Sequence, residues 1–97
     1  MEKVPCVYML ASGARGTLYI GVTSNLVKRV WEHRTDVIDG FTKRYRVHFL
    51  VWFERHESMY TAITREKALK SWNRAWKLEL VERTNSSWRD LYPEILG

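Results

Sequence analysis

The chain has 97 residues, 45% hydrophobic and 28% charged, which suits one small domain and leaves no room for a second core. Sixteen Lys and Arg against eleven Asp and Glu give a formal charge of +5, a balance that favours anionic partners such as nucleic acid. The single cysteine, Cys6, excludes an internal disulfide framework and any zinc site built from several cysteines. No segment is long and apolar enough to cross a bilayer, and the N-terminus lacks the apolar run of a signal peptide, so a soluble cytoplasmic protein with no membrane partner is expected.

Val4–Ala11 is β-branched and aromatic enough for a strand, Ser12–Gly16 has turn composition, and Thr17–Val22 reads as a second strand. Together they predict a β-hairpin. With the loop centred between Gly13 and Ala14, Tyr8 stands opposite Tyr19 on one face, and Val7 and Met9 join Leu18 and Ile20 on the other. Thr23 or Ser24 is the candidate cap of a helix over about Ser24–Asp36, where Leu26, Val27, Val30, Trp31 and Val37 recur at helical spacing. Gly40 follows, and then a basic stretch, Lys43–Arg46, with one aromatic. Val47–Glu54 has few polar positions, as in a strand covered on both faces. Glu57 or Ser58 opens a long helical region with Met59, Ala62, Ile63 and Leu69 in one stripe and Trp72, Trp76 and Leu80 in another, with a break near Ser71–Asn73. The tail beyond Thr84 holds turn residues and then Trp88, Leu91 and Tyr92, which are placed to dock on the core.

Three features carry chemistry. Arg29 and His33, four apart, share a helix face beside the apolar stripe. They are either a surface Arg and a rim His or a pair that works on a ligand. Glu66 lies inside the stripe of Ala62, Ile63 and Leu69, where a carboxylate is costly unless it is paired or binds metal. Lys70, one turn on, offers the ion-pair alternative, and Asn73 falls on nearly the same face. Tyr8 and Tyr19 are also ordinary strand-packing residues. The histidines and Cys6 have no zinc spacing, Gly13–Gly16 lacks the phosphate-loop pattern, and Cys6 has no nucleophile signature.

Taken in order, these residues resemble the GIY-YIG nuclease family. Val7-Tyr8 followed by Tyr19-Ile20-Gly21 is similar to the paired motif in the family's name, with Cys6-Val7-Tyr8 standing where Gly-Ile-Tyr is usual. The stretch from Gly21 to His33 resembles the family's helix that carries an Arg and, four later, a His or Tyr. Phe41–Tyr45 resembles the basic loop of small standalone members, and Thr64–Lys77 their Glu-bearing helix and its sequel. The likeness runs from about Pro5 to Glu82 and is nearest to the standalone, URI-like bacterial subgroup, so residues 1–97 are expected to form one domain.

The resemblance implies an α+β fold, a small three-stranded antiparallel sheet flanked by helices in the order β-β-α-β-α(α). It implies a metal-dependent endonuclease hydrolysing phosphodiester bonds of nucleic acid, DNA sooner than RNA, with weak or structure-led specificity. The implied cofactor is a divalent cation, Mg²⁺ or Mn²⁺. The family's site residues fall on Tyr8, Tyr19, Arg29, His33 and Glu66, with Glu66 as the metal ligand, and Asn73 is a candidate for a late Asn. Tyr19 is favoured as general base and Tyr8 as its orienting partner. Lys28, Lys43, Arg44, Arg46, Lys70 and Arg74, with Arg34, Lys67 and Lys77, are the candidates to track a nucleic-acid backbone. No obligate protein partner is evident. The alternative is a non-catalytic nucleic-acid-binding module on the same fold.

Overall fold

The hairpin forms two residues away from the predicted register. In the computed structural model, which describes residues 3–97, β1 (Cys6–Ala11) pairs antiparallel with β2 (Leu18–Thr23) so that Tyr8 faces Gly21 and Leu10 faces Tyr19. The turn is the cause. Ser12 N–H donates to the Thr17 carbonyl at 3.0 Å and Ser12 Oγ accepts from Thr17 N–H at 2.9 Å, so the loop centres between Ala14 and Arg15. Side chains alternate with period two, and a shift of two therefore keeps every residue on its face. Tyr8 and Tyr19 still share one side, and Val7, Met9 and Ile20 still share the other.

β3 (Phe49–Arg55) pairs antiparallel with the other edge of β1, giving the order β2-β1-β3 and the three-stranded α+β architecture expected. All six residues of the central strand β1 are buried. β3 starts two residues later than predicted, because Val47 N–H instead closes the preceding turn on the Thr42 carbonyl at 2.9 Å. Only Leu50, Val51 and Trp52 are covered as a fully buried strand would be; Phe49 and Arg55 are exposed.

Each sheet face has its own apolar core. Val7, Met9, Ile20 and Val51 pack against Ala62 and Leu69 of α3 (Met59–Ser71) and Leu78 and Val81 of α4 (Arg74–Thr84). Leu10 and Leu50 on the opposite face pack with Leu26 and Val30 of α1 (Leu26–Arg34) and with Leu91. Neither predicted cap is the one used for α1. Asn25 Oδ1 accepts from Lys28 N–H at 3.2 Å, while Thr23 Oγ1 holds Asn25 N–H at 3.0 Å. The helix ends at Arg34 and Asp36 takes a φ of +57°, so Val37 lies off the helix and exposed. Trp31 is exposed as well, about 100° around the helix from Val30, and the position that completes the buried stripe is His33.

The basic stretch forms a short helix, α2 (Phe41–Arg44). The predicted break between α3 and α4 falls at Trp72, whose ψ of 150° leaves the helix, and Asn73 Oδ1 caps α4 on Trp76 N–H at 2.9 Å. The tail docks as expected through Trp88 and Leu91, ending in α5 (Tyr92–Ile95). Leu91 N–H donates to the Leu50 carbonyl at 2.7 Å and Asp90 Oδ1 accepts from Leu50 N–H at 3.2 Å. Asn85 is buried beneath this segment: Nδ2 donates to the carbonyls of Val51 (3.1 Å) and Arg89 (2.8 Å), and Oδ1 accepts from Arg89 N–H (3.1 Å). Among the described residues no helix is long and apolar enough to cross a membrane.

Asn85→Ala leaves buried backbone groups without partners and is expected to cost about 2 kcal/mol, read as a lower urea midpoint at unchanged slope.

Candidate active site

Tyr8 projects from the middle of β1 towards α1 and lies across the backbone of its strand partner. A Cβ at Gly21 would stand 2.5 Å from Tyr8 Cζ and Oη, so only glycine leaves room for the ring. The phenol passes over that bare Cα and meets His33 Nε2 at 3.0 Å; His33 Nδ1 in turn meets Thr42 Oγ1 at 2.9 Å. Tyr8, His33 and Thr42 are 1%, 2% and 3% exposed, so this chain of hydrogen bonds runs with almost no access to water. It ties β1 to the last turn of α1 and to α2. Tyr19 joins from β2, with its ring 5.3 Å from that of His33 and 6.3 Å from that of Tyr8, and stacks beside Phe41 at 6.2 Å.

Burial holds the His33 pKa down at about 4, and the Arg29 charge one turn away pushes the same way. The imidazole is therefore neutral near pH 7. Burial pushes the Tyr8 hydroxyl well above the usual phenol range; Tyr19 and Glu66 add to the rise, while the Arg29 guanidinium beside the hydroxyl opposes it. A protonated phenol and a threonine hydroxyl can each give or take a hydrogen bond, so a neutral His33 is satisfied on both ring nitrogens in either tautomer. Tyr19 packs 6.3 Å from the Tyr8 ring, while Arg29 and Glu66 reach the phenol through their charges, Arg29 lowering and Glu66 raising its pKa.

Glu66 follows from the narrow buried face of α3. Ala62 and Leu69 are fully buried while Met59 and Ile63 are partly open, and Glu66 sits between the two buried positions. Its side chain is 13% exposed, and Oε2 lies 3.0 Å from Lys70 Nζ, so the i, i+4 pair is formed. Along the outer edge of β2, Tyr19, Phe41, Lys70 and Lys77 line one groove; further along, Val22, Lys28, Arg29 and Glu32 line a second. Arg29 Nη1 makes a long contact of 3.5 Å with Glu32 Oε1. Among the described residues no three His, Cys, Asp or Glu gather as a metal cage. One carboxylate suits a hard cation that keeps most of its water shell, as Mg²⁺ does, and does not suit zinc.

The other candidates scatter around this centre. Lys28, Lys43, Arg44 and Arg46 are exposed near α1 and α2, Lys43 paired with Asp39 at 3.3 Å and Arg44 lying 5.4 Å over the Tyr45 ring. Arg74 differs: its guanidinium donates to the carbonyls of Arg15 and Gly16 and holds the hairpin turn. Asn73 does not share a face with Glu66, because the helix breaks between them and Asn73 caps α4. Thr42 is the site residue that sequence reasoning missed. It sits in a basic stretch with no pattern to mark it as inward-facing.

Residues 4–79 match the GIY-YIG catalytic domain, and the chain belongs to that family. It is similar to a UPF0213 protein of Natronomonas pharaonis, 41% identical over 75 residues that cover 77% of this chain and 87% of the relative. UPF0213 proteins of Syntrophus aciditrophicus (36% identical, covering 79% of this chain and 88% of the relative) and Desulfotalea psychrophila (31%, 81% and 73%) are similar as well. No solved structure matches.

Gly21→Ala forces the Tyr8 ring aside and is expected to cost about 1–3 kcal/mol in urea unfolding, together with loss of the Tyr8–His33 bond, seen as a shifted His33 imidazole signal by NMR. Unfolded His33 takes up its proton near pH 6.5, folded His33 only near pH 4. Between those values the unfolded state binds more protons, so stability is lost as pH falls through that window. His33→Gln removes this part of the slope; urea titrations of both proteins at several pH values in the window measure it.

Proposed function

We propose that the protein is a divalent-metal-dependent endonuclease that hydrolyses phosphodiester bonds of nucleic acid, DNA sooner than RNA, and works in the cytoplasm. The observation that carries this reading is the gathering of Tyr19 with the buried Tyr8–His33 pair, one helical turn from Arg29, beside two open grooves that Lys28, Arg29, Lys70 and Lys77 help to line; Glu66, paired with Lys70, lines neither groove. The family supplies the reaction class; the residue roles that follow are proposed from geometry and chemistry.

Glu66 would hold Mg²⁺ or Mn²⁺, which supplies positive charge to the phosphate and leaving oxygens. Arg29 is partly exposed and presents its planar fork to the non-bridging oxygens. Tyr19 is half-buried beside the groove and is the favoured acceptor of the water proton. Tyr8 is sealed, keeps its own proton and holds the position of Arg29 and Tyr19 around it. His33 has no opening to the groove, so its role differs from direct contact with water or phosphate: it is a positioning residue acting through Tyr8. Lys28, Lys43, Arg44, Arg46 and Lys70 would follow the substrate backbone, which makes binding steeply salt-dependent and poorly sequence-specific.

The ion pair between Glu66 and Lys70 is the one observation that favours the alternative, a binding module in which Glu66 is structural. Cleavage assays on single-stranded, duplex and branched DNA and RNA, with Mg²⁺, with Mn²⁺ and with chelator, separate the two. Wild-type protein is expected to cut only with metal, and Arg29→Ala and Glu66→Gln to lose on the order of 10²–10³ in rate. Tyr19→Phe should lose more than Tyr8→Phe. Binding without cutting under every metal condition supports the binding module; full activity of both Arg29→Ala and Glu66→Gln removes the mechanism.

A further inference from the structure

The short helix α2 has two unlike sides. Thr42 points inward and is bonded to His33, whereas Phe41 and Tyr45, one turn apart, point outward and are 45% and 47% exposed. Their rings lie 4.8 Å apart, and on its other side Phe41 stands 6.2 Å from Tyr19 with an interplanar angle of 29°. Tyr19, Phe41 and Tyr45 therefore form a row of rings that leads from the candidate active site out to solvent. Two large exposed aromatics held side by side are unusual on a small soluble domain, because they forgo the burial that stabilises such domains.

The surroundings of this row are cationic. Gly40, Phe41, Lys43, Arg44 and Tyr45 line an open groove on one side, and Lys70 and Lys77 join Tyr19 and Phe41 on the other. Among the residues lining these two grooves there is no acid; the acids nearest their cations are Asp39, paired with Lys43, and Glu66, paired with Lys70, and Arg44 lies over one face of the Tyr45 ring. A ligand for this surface needs flat π faces to lie on aromatic rings and regularly spaced negative charge to meet the lysines. Unpaired nucleotides have both. A duplex has the charge, but its base faces are already stacked on one another.

We propose that Phe41 and Tyr45 form a stacking subsite for unpaired bases next to the phosphate to be cut, so that single-stranded nucleic acid is the preferred substrate; this rests on the nuclease reading above. The bond from Thr42 to His33 gives the subsite a fixed position relative to Tyr8. Lys43, Arg44, Lys70 and Lys77 hold the flanking phosphates, and the ring row sets the path of the strand towards Tyr19.

The test is fluorescence anisotropy with labelled oligonucleotides of equal length, in low salt with chelator so that nothing is cut. The probes are oligothymidylate, oligouridylate, an abasic deoxyribose strand and a duplex. Oligothymidylate or oligouridylate, whichever sugar is preferred, should bind more tightly than the abasic strand and the duplex. Phe41→Leu and Tyr45→Leu should each weaken base-bearing single strands by about 5- to 100-fold while leaving the abasic strand within about two-fold. Tyr60→Leu, which removes an aromatic that is 80% exposed on α3, should change nothing. Phe41→Trp keeps a ring and should keep the affinity, which guards against misreading a folding defect; equal loss in Phe41→Leu and Phe41→Trp counts against the subsite. Equal affinity for abasic and base-bearing strands, or Leu variants that bind like wild type, overturns the proposal. If that happens while cleavage still requires metal and Glu66, the nuclease reading stands alone. Base-dependent binding by a protein that never cuts leaves the subsite and removes the nuclease.

Discussion

The Tyr8 hydroxyl, the His33 imidazole and the Thr42 hydroxyl form one chain that is almost completely shut off from water. Each comes from a different element, and each satisfies another at 3.0 Å or 2.9 Å. A buried polar group without a partner costs about 1–3 kcal/mol, so pulling any one element away penalises two groups together. That penalty fixes the rotation of α1 about its axis, which sets where Arg29 stands one turn earlier. It also fixes α2, and with it Phe41. No charge is needed for any of this, since His33 is neutral near pH 7 and Tyr8 keeps its proton.

The charged members of the site sit further out. Arg29 is partly exposed and Lys70 half exposed, while Glu66, mostly buried, is met by the Lys70 ammonium. This division follows from desolvation: a charge buried as deeply as His33 would cost several kcal/mol, whereas at a wet margin the same charge is cheap and can meet an anion. A neutral interior thus supplies rigidity, and the rim supplies attraction. The Lys70–Glu66 pair joins a half-exposed ammonium to a mostly buried carboxylate.

How much of this was legible in the sequence depends on which physical rule governed each residue. Tyr8 and Tyr19 were placed on one face correctly even though the register was two residues out, because parity survives an even shift. Glu66 was legible as an anomaly because it interrupts an apolar stripe, and its pairing with Lys70 follows from helical spacing. Helical counting puts Asn73 on nearly the face of Glu66, but the break predicted near Ser71–Asn73 falls at Trp72, before Asn73, and makes it the cap of α4. Trp31 and Val37 fit the helical apolar spacing yet are exposed, while the buried position is taken by His33, a residue whose burial depends on a partner 25 positions away. Thr42 was illegible for the same reason: nothing local distinguishes a threonine that bonds inward from one that faces water. Long-range polar pairing is the part that sequence patterns do not carry.

The docked tail also bears on how the molecule behaves in a crowd. β3 is an outer strand, and its unpaired amides and carbonyls would offer a template on which another polypeptide could add as an extra strand. Asp90 and Leu91 already occupy both backbone groups of Leu50, one by a side chain and one by the main chain. The carboxylate there also meets Arg34, which holds the plug against α1. The segment after α4 therefore works as a built-in stopper against strand exchange between copies, and self-association through that margin requires the stopper to be lifted first.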